Sequence, residues 1–196
     1  ESPDKQPFLV MQFVEGATLR TLISKGGMEF RQAARILRQV GQALSAAHDK
    51  GGFHRDLKPE NIMVQQLSED EIQVKLIDFG IASVRDSAIV GGATQAAGAP
   101  QASKVVGTLA YMAPEQVMGQ ATGASDIYAL GVIAYEMLTG QRPEITPQGL
   151  ATSPRALRKE IPEAAEAAIV KAVSYQPEQR QARPRDFGEE LEIGRA

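Results

Sequence analysis

Apolar residues recur at helical spacing between Glu29 and Lys50. Phe30, Ala33, Ala34, Leu37, Val40, Leu44 and Ala47 mark one face of a long amphipathic helix that should stop before Gly51-Gly52. Ahead of it, the short apolar run Phe8–Val14 predicts a strand broken by Glu15-Gly16. Thr18 is placed to cap a short helix through Ser24, ended by Gly26-Gly27. Two β-like runs, Ile62–Gln65 and Gln73–Ile77, flank a polar turn rich in Glu and Asp. A helix opening at Ser125-Asp126 and running to about Thr139 is apolar nearly all round, which marks a central buried helix. Gly140 and Pro143 end it, and Glu163–Tyr175 and Pro184–Ile193 predict two further helices. The fold class expected is therefore mainly α with a few short β strands.

Between Ser83 and Val106 the pattern vanishes into Gly, Ala, Ser, Thr and Gln, a composition that buries little apolar surface and predicts a mobile stretch. Composition elsewhere is that of an ordinary globular chain: 196 residues, 43% apolar and 23% charged. A net charge of −3 leaves no electrostatic footprint for nucleic acid or an anionic membrane. The absence of cysteine excludes a disulfide scaffold and a thiolate metal site. Ile127–Leu138 is too short to span a bilayer and carries Glu136. The expectation is a cytoplasmic part, without membrane contact of its own, of a longer parent that is free to carry an anchor.

The chemistry concentrates in His54-Arg55-Asp56-Leu57-Lys58-Pro59-Glu60-Asn61 and, after the second β-like run, Asp78-Phe79-Gly80. A hydroxyl attacking a γ-phosphate gains from a carboxylate that orients it and accepts its proton, the position Asp56 holds. Lys58, two residues on, is placed to stabilise charge on the transferred phosphoryl group. Asn61 and Asp78 offer a neutral and a charged oxygen, ligands that suit Mg²⁺ bridging phosphates. His54 and Phe79 read as packed core residues.

Together with Ala113-Pro114-Glu115, these motifs resemble the eukaryotic-type protein kinases, most closely the bacterial serine/threonine enzymes. Gly107–Glu115 looks like that family's substrate-docking segment, and Asp126 to Gly131 resembles its central-helix pattern. Pro177-Glu178-Gln179-Arg180 resembles the late motif whose Arg pairs with the Ala-Pro-Glu carboxylate, implying a Glu115–Arg180 ion pair. The resemblance implies ATP and Mg²⁺ as cofactors and Ser/Thr hydroxyls of proteins as acceptors. It also implies adenine contacts from the gatekeeper Met11, the hinge residues Gln12 and Val14, and Met63 on the apolar floor. Thr108 matches a position whose hydroxyl helps hold the catalytic Asp and Lys. Arg55 implies regulation by activation-loop phosphorylation, with Thr94 and Ser103 as candidates.

The family's small lobe is not in evidence: seven residues precede Phe8 and no GxGxxG occurs. The organisation expected is a hinge-strand remnant over residues 1–14 and a kinase-like C-terminal lobe over 15–196. Within it lie the catalytic loop 54–61 and the activation segment 78–115. Such a chain is expected to have little activity alone and to self-associate through its uncovered hinge strand. A pseudokinase scaffold and a small-molecule kinase are the competing readings. The four retained residues Asp56, Lys58, Asn61 and Asp78 speak against the first, and the docking segment against the second.

Overall fold

The computed structural model describes residues 12–23, 26–68, 71–79 and 109–193. Met11, Gly80, Gly107 and Thr108, with the predicted mobile stretch and its Thr94 and Ser103, lie outside them. The fold is mainly helical with a few short strands, as expected. At its centre runs Gly123–Thr139, in which every residue from Ser125 to Thr139 is buried. Its start is fixed by a reciprocal cap: the Thr122 side chain and the Ser125 hydroxyl each serve the other's backbone amide. Its end is Gly140 at φ 75°, a left-handed position at which a side chain would be strained.

Against that helix packs Phe30–His48, which Glu29 caps by accepting from the Gln32 amide at 2.9 Å. Its apolar face supplies Ala33, Ile36, Leu37, Val40 and Leu44 to one core shared with Leu130, Ile133 and Met137 of the central helix. Each fully buried Leu or Ile side chain contributes about 1.5–3 kcal/mol, so this shared seam dominates the apolar stabilisation. The other flank of Phe30–His48 meets the last helix, Pro184–Ile193, at very short range. A Cβ on Gly41 would stand 2.6 Å from the Pro184 carbonyl oxygen, and one on Gly188 2.8 Å from the Arg38 Cα. Both obstacles are backbone, so only glycine permits this approach. Helix Glu163–Ala172 fills the space between the central and last helices with Ala165, Ala168, Ile169 and Ala172.

A small antiparallel sheet sits at one end, with β1 (Ala17–Thr18), β2 (Ile62–Gln66) and β3 (Ile72–Leu76) in that order. Ile62 pairs with Leu76 and Gln66 with Ile72, while Thr18 stands opposite Met63. The outer edge of β3 is covered by a side chain: the Gln39 amide donates to the Ile72 carbonyl and accepts from the Val74 amide, both at 2.9 Å. One glutamine thus substitutes for a fourth strand at an edge that would otherwise invite pairing.

Of the run Phe8–Val14, residues 12–14 carry no regular structure and residues 8–11 lie outside the described residues; the first described strand is Ala17–Thr18. Gly16, at φ 119°, presses so closely on Val64 that a Cβ would lie 2.4 Å from its carbonyl oxygen. The glycine therefore lets the chain enter β1 against Val64. The helix expected to reach Tyr175 ends at Ala172, because Arg180 draws the carbonyls of Ser174 and Tyr175 onto its guanidinium at 2.9 and 3.2 Å. Four-residue helices at Leu19–Leu22, Pro114–Val117 and Pro154–Leu157 and the hairpin Ile145–Leu150 complete the architecture. Thr18 caps the first of these, as expected. No helix among the described residues is long and apolar enough to cross a membrane.

The contact between the second and last long helices yields a direct test. Gly188→Val should lower stability by about 1–3 kcal/mol through overpacking. Thermal melting should register this as a reduced midpoint, whereas an unchanged midpoint would mean the helices are not in close contact.

Candidate active site

The loop that carries the candidate chemistry is fixed from beneath by a buried carboxylate. Asp126, on the first turn of the central helix, is 1% exposed. Its Oδ2 accepts from the His54 backbone amide at 2.9 Å and lies 2.8 Å from His48 Nε2. Its Oδ1 accepts from the Arg55 amide, also at 2.9 Å. Arg55 is held at φ 64°, a left-handed conformation costing on the order of 1–3 kcal/mol for a non-glycine residue. The strain persists because both ends are held: the amide by Asp126, and the carbonyl by the Gln116 side-chain amide.

Above this anchor the loop turns Asp56, Lys58 and Asn61 toward one another. Lys58 Nζ donates to Asp56 Oδ2 at 2.8 Å. Asn61 Nδ2 donates to the Asp56 carbonyl at 2.8 Å and lies 3.4 Å from Oδ2. Pro59 opens the single 3-10 turn, Pro59–Asn61, that delivers Asn61 back beneath Asp56. The structure thus gathers the three expected catalytic residues on one short loop.

Asp78 arrives from the other side of the β2–β3 hairpin. The Ile77 amide donates to the Asn61 carbonyl at 3.0 Å, so Asn61 and Asp78 lie at neighbouring chain ends of the hairpin. Asp78 is exposed, with φ 60°. His54 braces this junction, its Nε2 lying 3.0 Å from the Ile77 carbonyl and its ring 4.7 Å from that of Phe79, which is exposed on its other side rather than the packed core residue expected. Burial pushes the His54 imidazole below its ordinary value, against the pull of the Asp126 carboxylate. The ring is therefore neutral in the fold and donates from Nε2, as suits a packed residue.

These residues suit a magnesium–nucleotide complex. Among the described residues neither the Asn61 Oδ1 nor the Asp78 carboxylate has a protein partner, so both oxygens are open to a cation. No group of three or more His, Cys, Asp or Glu that could hold a metal by itself occurs among them. Mg²⁺ does not need one, since it binds one or two protein oxygens and completes its shell with phosphates and water. Of the expected adenine contacts, Gln12 is exposed and Val14 is half-buried. Met63 alternates along β2 with the buried Ile62 and Val64, so it faces away from the core.

The expected ion pair forms. Both terminal nitrogens of the Arg180 guanidinium donate to Glu115, at 2.7 and 2.9 Å, and a third contact joins the Ser125 hydroxyl to Glu115 at 2.8 Å. Burial works against ionisation of Glu115, but Arg180 and Ser125 outweigh it and hold its carboxyl below the usual range. The pair ties the segment bearing Tyr111–Glu115 to the start of the central helix. Sequence reasoning missed His48, Gln116 and a cluster of Arg20, Glu60, Tyr111 and Glu136. The one available signal was Glu136, a charge inside an apolar helix, which demands a partner.

The family profile described as the protein kinase domain matches residues 2–189. The chain belongs to the protein kinase family. It is similar to several bacterial serine/threonine-protein kinases. It is 37% identical over 205 residues to the serine/threonine-protein kinase Pkn1 of Myxococcus xanthus, covering 97% of this chain and 28% of that protein. It is 41% identical over 162 residues to PknL of Mycobacterium tuberculosis, covering 82% of this chain and 37% of the relative. The chain thus spans roughly a third of the length of these curated relatives. The crystal structure of the Mycobacterium tuberculosis PknI kinase domain shares the fold, with a TM-score of 0.68 at 22% identity over 94% of this chain and 64% of that one.

Two predictions concern the kinase loop and its anchor. Asp126→Ala strands two loop amides without their acceptor, at about 1–3 kcal/mol each. Denaturant titration should therefore show a loss on the order of 2–5 kcal/mol, and a loss under 1 kcal/mol would mean the anchor is dispensable. His54 is held neutral in the fold, while the unfolded chain takes up its proton near the ordinary value of 6.5. The unfolded state then binds more protons below that pH, and stability falls as pH drops through 6.5. His54→Gln should flatten this slope between pH 7.5 and 5.5 in paired denaturation curves, and equal slopes would contradict a buried neutral ring.

Proposed function

We propose that this chain provides the catalytic and substrate-docking lobe for transfer of the ATP γ-phosphate to Ser or Thr hydroxyls of proteins. The observation that carries this reading is the Asp56–Lys58–Asn61 constellation, closed by hydrogen bonds of 2.8 Å on a loop anchored by Asp126. Asp56 is positioned to orient the acceptor hydroxyl and take its proton at a carboxylate oxygen. Lys58, already beside that carboxylate, adds positive charge where the phosphoryl group passes. Asn61 and Asp78 are the residues that would hold Mg²⁺, which neutralises charge on the phosphates. A Lys two residues after the proton acceptor fits Ser/Thr rather than Tyr as acceptor, in keeping with the names of the relatives.

The nucleotide site is completed, in this reading, by a small lobe with its Gly-rich loop and Lys–Glu pair. Backbone groups of Gln12 and Val14, with Met11 and Met63, would then receive adenine. The 196 residues alone are expected to be weakly active or inactive. Phe13, 85% exposed, is a surface that a small lobe or a second copy of the chain would cover. A phosphate on the activation segment would find a partner in Arg55, whose backbone is already locked. A scaffold without chemistry has no need of Asp56, Lys58 and Asn61 in mutual contact.

The test is made with this chain joined behind a complete small lobe. Asp56→Asn should lower phosphate incorporation into Ser or Thr of a protein substrate by roughly 100-fold or more. Binding of Mg²⁺–ATP should persist, as read by calorimetry. Undiminished labelling in the variant would move the chemistry to another residue.

A further inference from the structure

Arg20 lies outside the catalytic loop, on the short helix Leu19–Leu22. Its guanidinium nevertheless joins three separate parts of the site. Nε meets Glu60 Oε1 at 2.9 Å, and Glu60 sits between Pro59 and Asn61 in the turn that aims Asn61. Nη1 and Nη2 form a fork on Glu136, at 2.9 and 3.2 Å, deep in the central helix. Nη2 also donates to the Tyr111 hydroxyl, which in turn donates to Glu136. Tyr111 belongs to the docking segment, three residues before Pro114.

The energetics of the cluster are uneven. Glu136 is only 7% exposed in its side chain and Tyr111 is buried, whereas Glu60 is about half exposed. A buried carboxylate without its cation is strongly unfavourable, so the Arg20–Glu136 fork is the fixed point. Burial works against the charge on Arg20, yet Glu136 and Glu60 together keep the guanidinium firmly protonated. Burial and the Glu136 carboxylate both push the Tyr111 hydroxyl up, so it remains a donor. From that fixed point Arg20 extends one arm to the catalytic loop and one to the docking segment. A lysine has no planar fork and cannot make all these contacts at once.

We propose that Arg20 is a positioning residue for the protein substrate. By tying Glu60 and Tyr111 to Glu136, it sets the separation between the catalytic loop and the segment on which the substrate docks. Gln12, Val14 and Met63 make no hydrogen bond to this cluster, and Asn61, next to Glu60, keeps its own bonds to Asp56 and Ile77, so the effect falls on the acceptor peptide more than on ATP. The proposal rests on the kinase reading above.

Two measurements separate the proposal from that reading. The first uses this chain joined behind a complete small lobe. Arg20→Met should raise KM for a Ser-containing protein substrate about tenfold while KM for ATP stays within twofold, and Arg20→Lys should recover part of the loss. Glu60→Ala cuts only the exposed arm and should give a smaller rise in the same KM, even where Arg20→Met fails to fold. The second is amide hydrogen exchange in the full chain, where Arg20→Met or Glu60→Ala should speed exchange in segment 109–113 or at residues 60–61, respectively. If the joined wild-type protein transfers no phosphate but exchange responds, the tie holds and the kinase reading falls. If it is active and folded variants shift neither the substrate KM nor exchange, or raise both KM values equally, the positioning role is overturned.

Discussion

One buried carboxylate governs the geometry of the site. Asp126 enters the most apolar helix of the chain and is made tolerable there by three hydrogen bonds, two of them from the backbone of the loop it supports. A charge in such surroundings is stable only while every partner is in place. The dependence therefore runs both ways. The loop cannot leave without stranding the carboxylate, and the carboxylate cannot move without freeing a residue held in a left-handed conformation. Side chains carried by the loop inherit this rigidity, which is what positioning a proton acceptor and a cation requires.

The rest of the lobe extends the same device. Glu115 with Arg180 and Ser125 fixes the far end of segment 109–115 to the start of the central helix, and Tyr111 with Arg20 and Glu136 fixes its near part to the last turn of that helix. The central helix, packed between its neighbours through Leu, Ile and Met on one side and the Ala-rich face of Glu163–Ala172 on another, is thus the common reference for loop 54–61 and segment 109–115 alike. The buried ion pairs do not obviously add net stability over apolar replacements. What they supply is registry: each links a surface loop to a defined turn of one helix.

Much of this was legible in the sequence. The helical period of Phe30–His48 and the unbroken apolar run of the central helix each define their element, since both patterns extend over several turns. The catalytic loop was legible because its residues are chemically unusual in combination, and the Glu115–Arg180 pair because a family resemblance joins positions 65 residues apart. Arg20 was not legible. It lies on a four-residue helix with no period, and its partners are distant in the chain, so only the fold brings them together. The strand at Ala17–Thr18 was hidden for a similar reason: its two residues form no apolar run, and only the edge of β2 defines it. Strand identity is decided by pairing, and hydrophobicity alone does not report it.

Asp126 pins loop 54–61 from below. Amide hydrogen exchange of the wild-type chain, resolved at single residues, reports on this most directly. The His54 and Arg55 amides should exchange as slowly as those in the middle of the central helix, because releasing them requires the carboxylate to be exposed. Exchange at these two positions as fast as at exposed loop amides would show that the loop is free, and the site would lose its foundation.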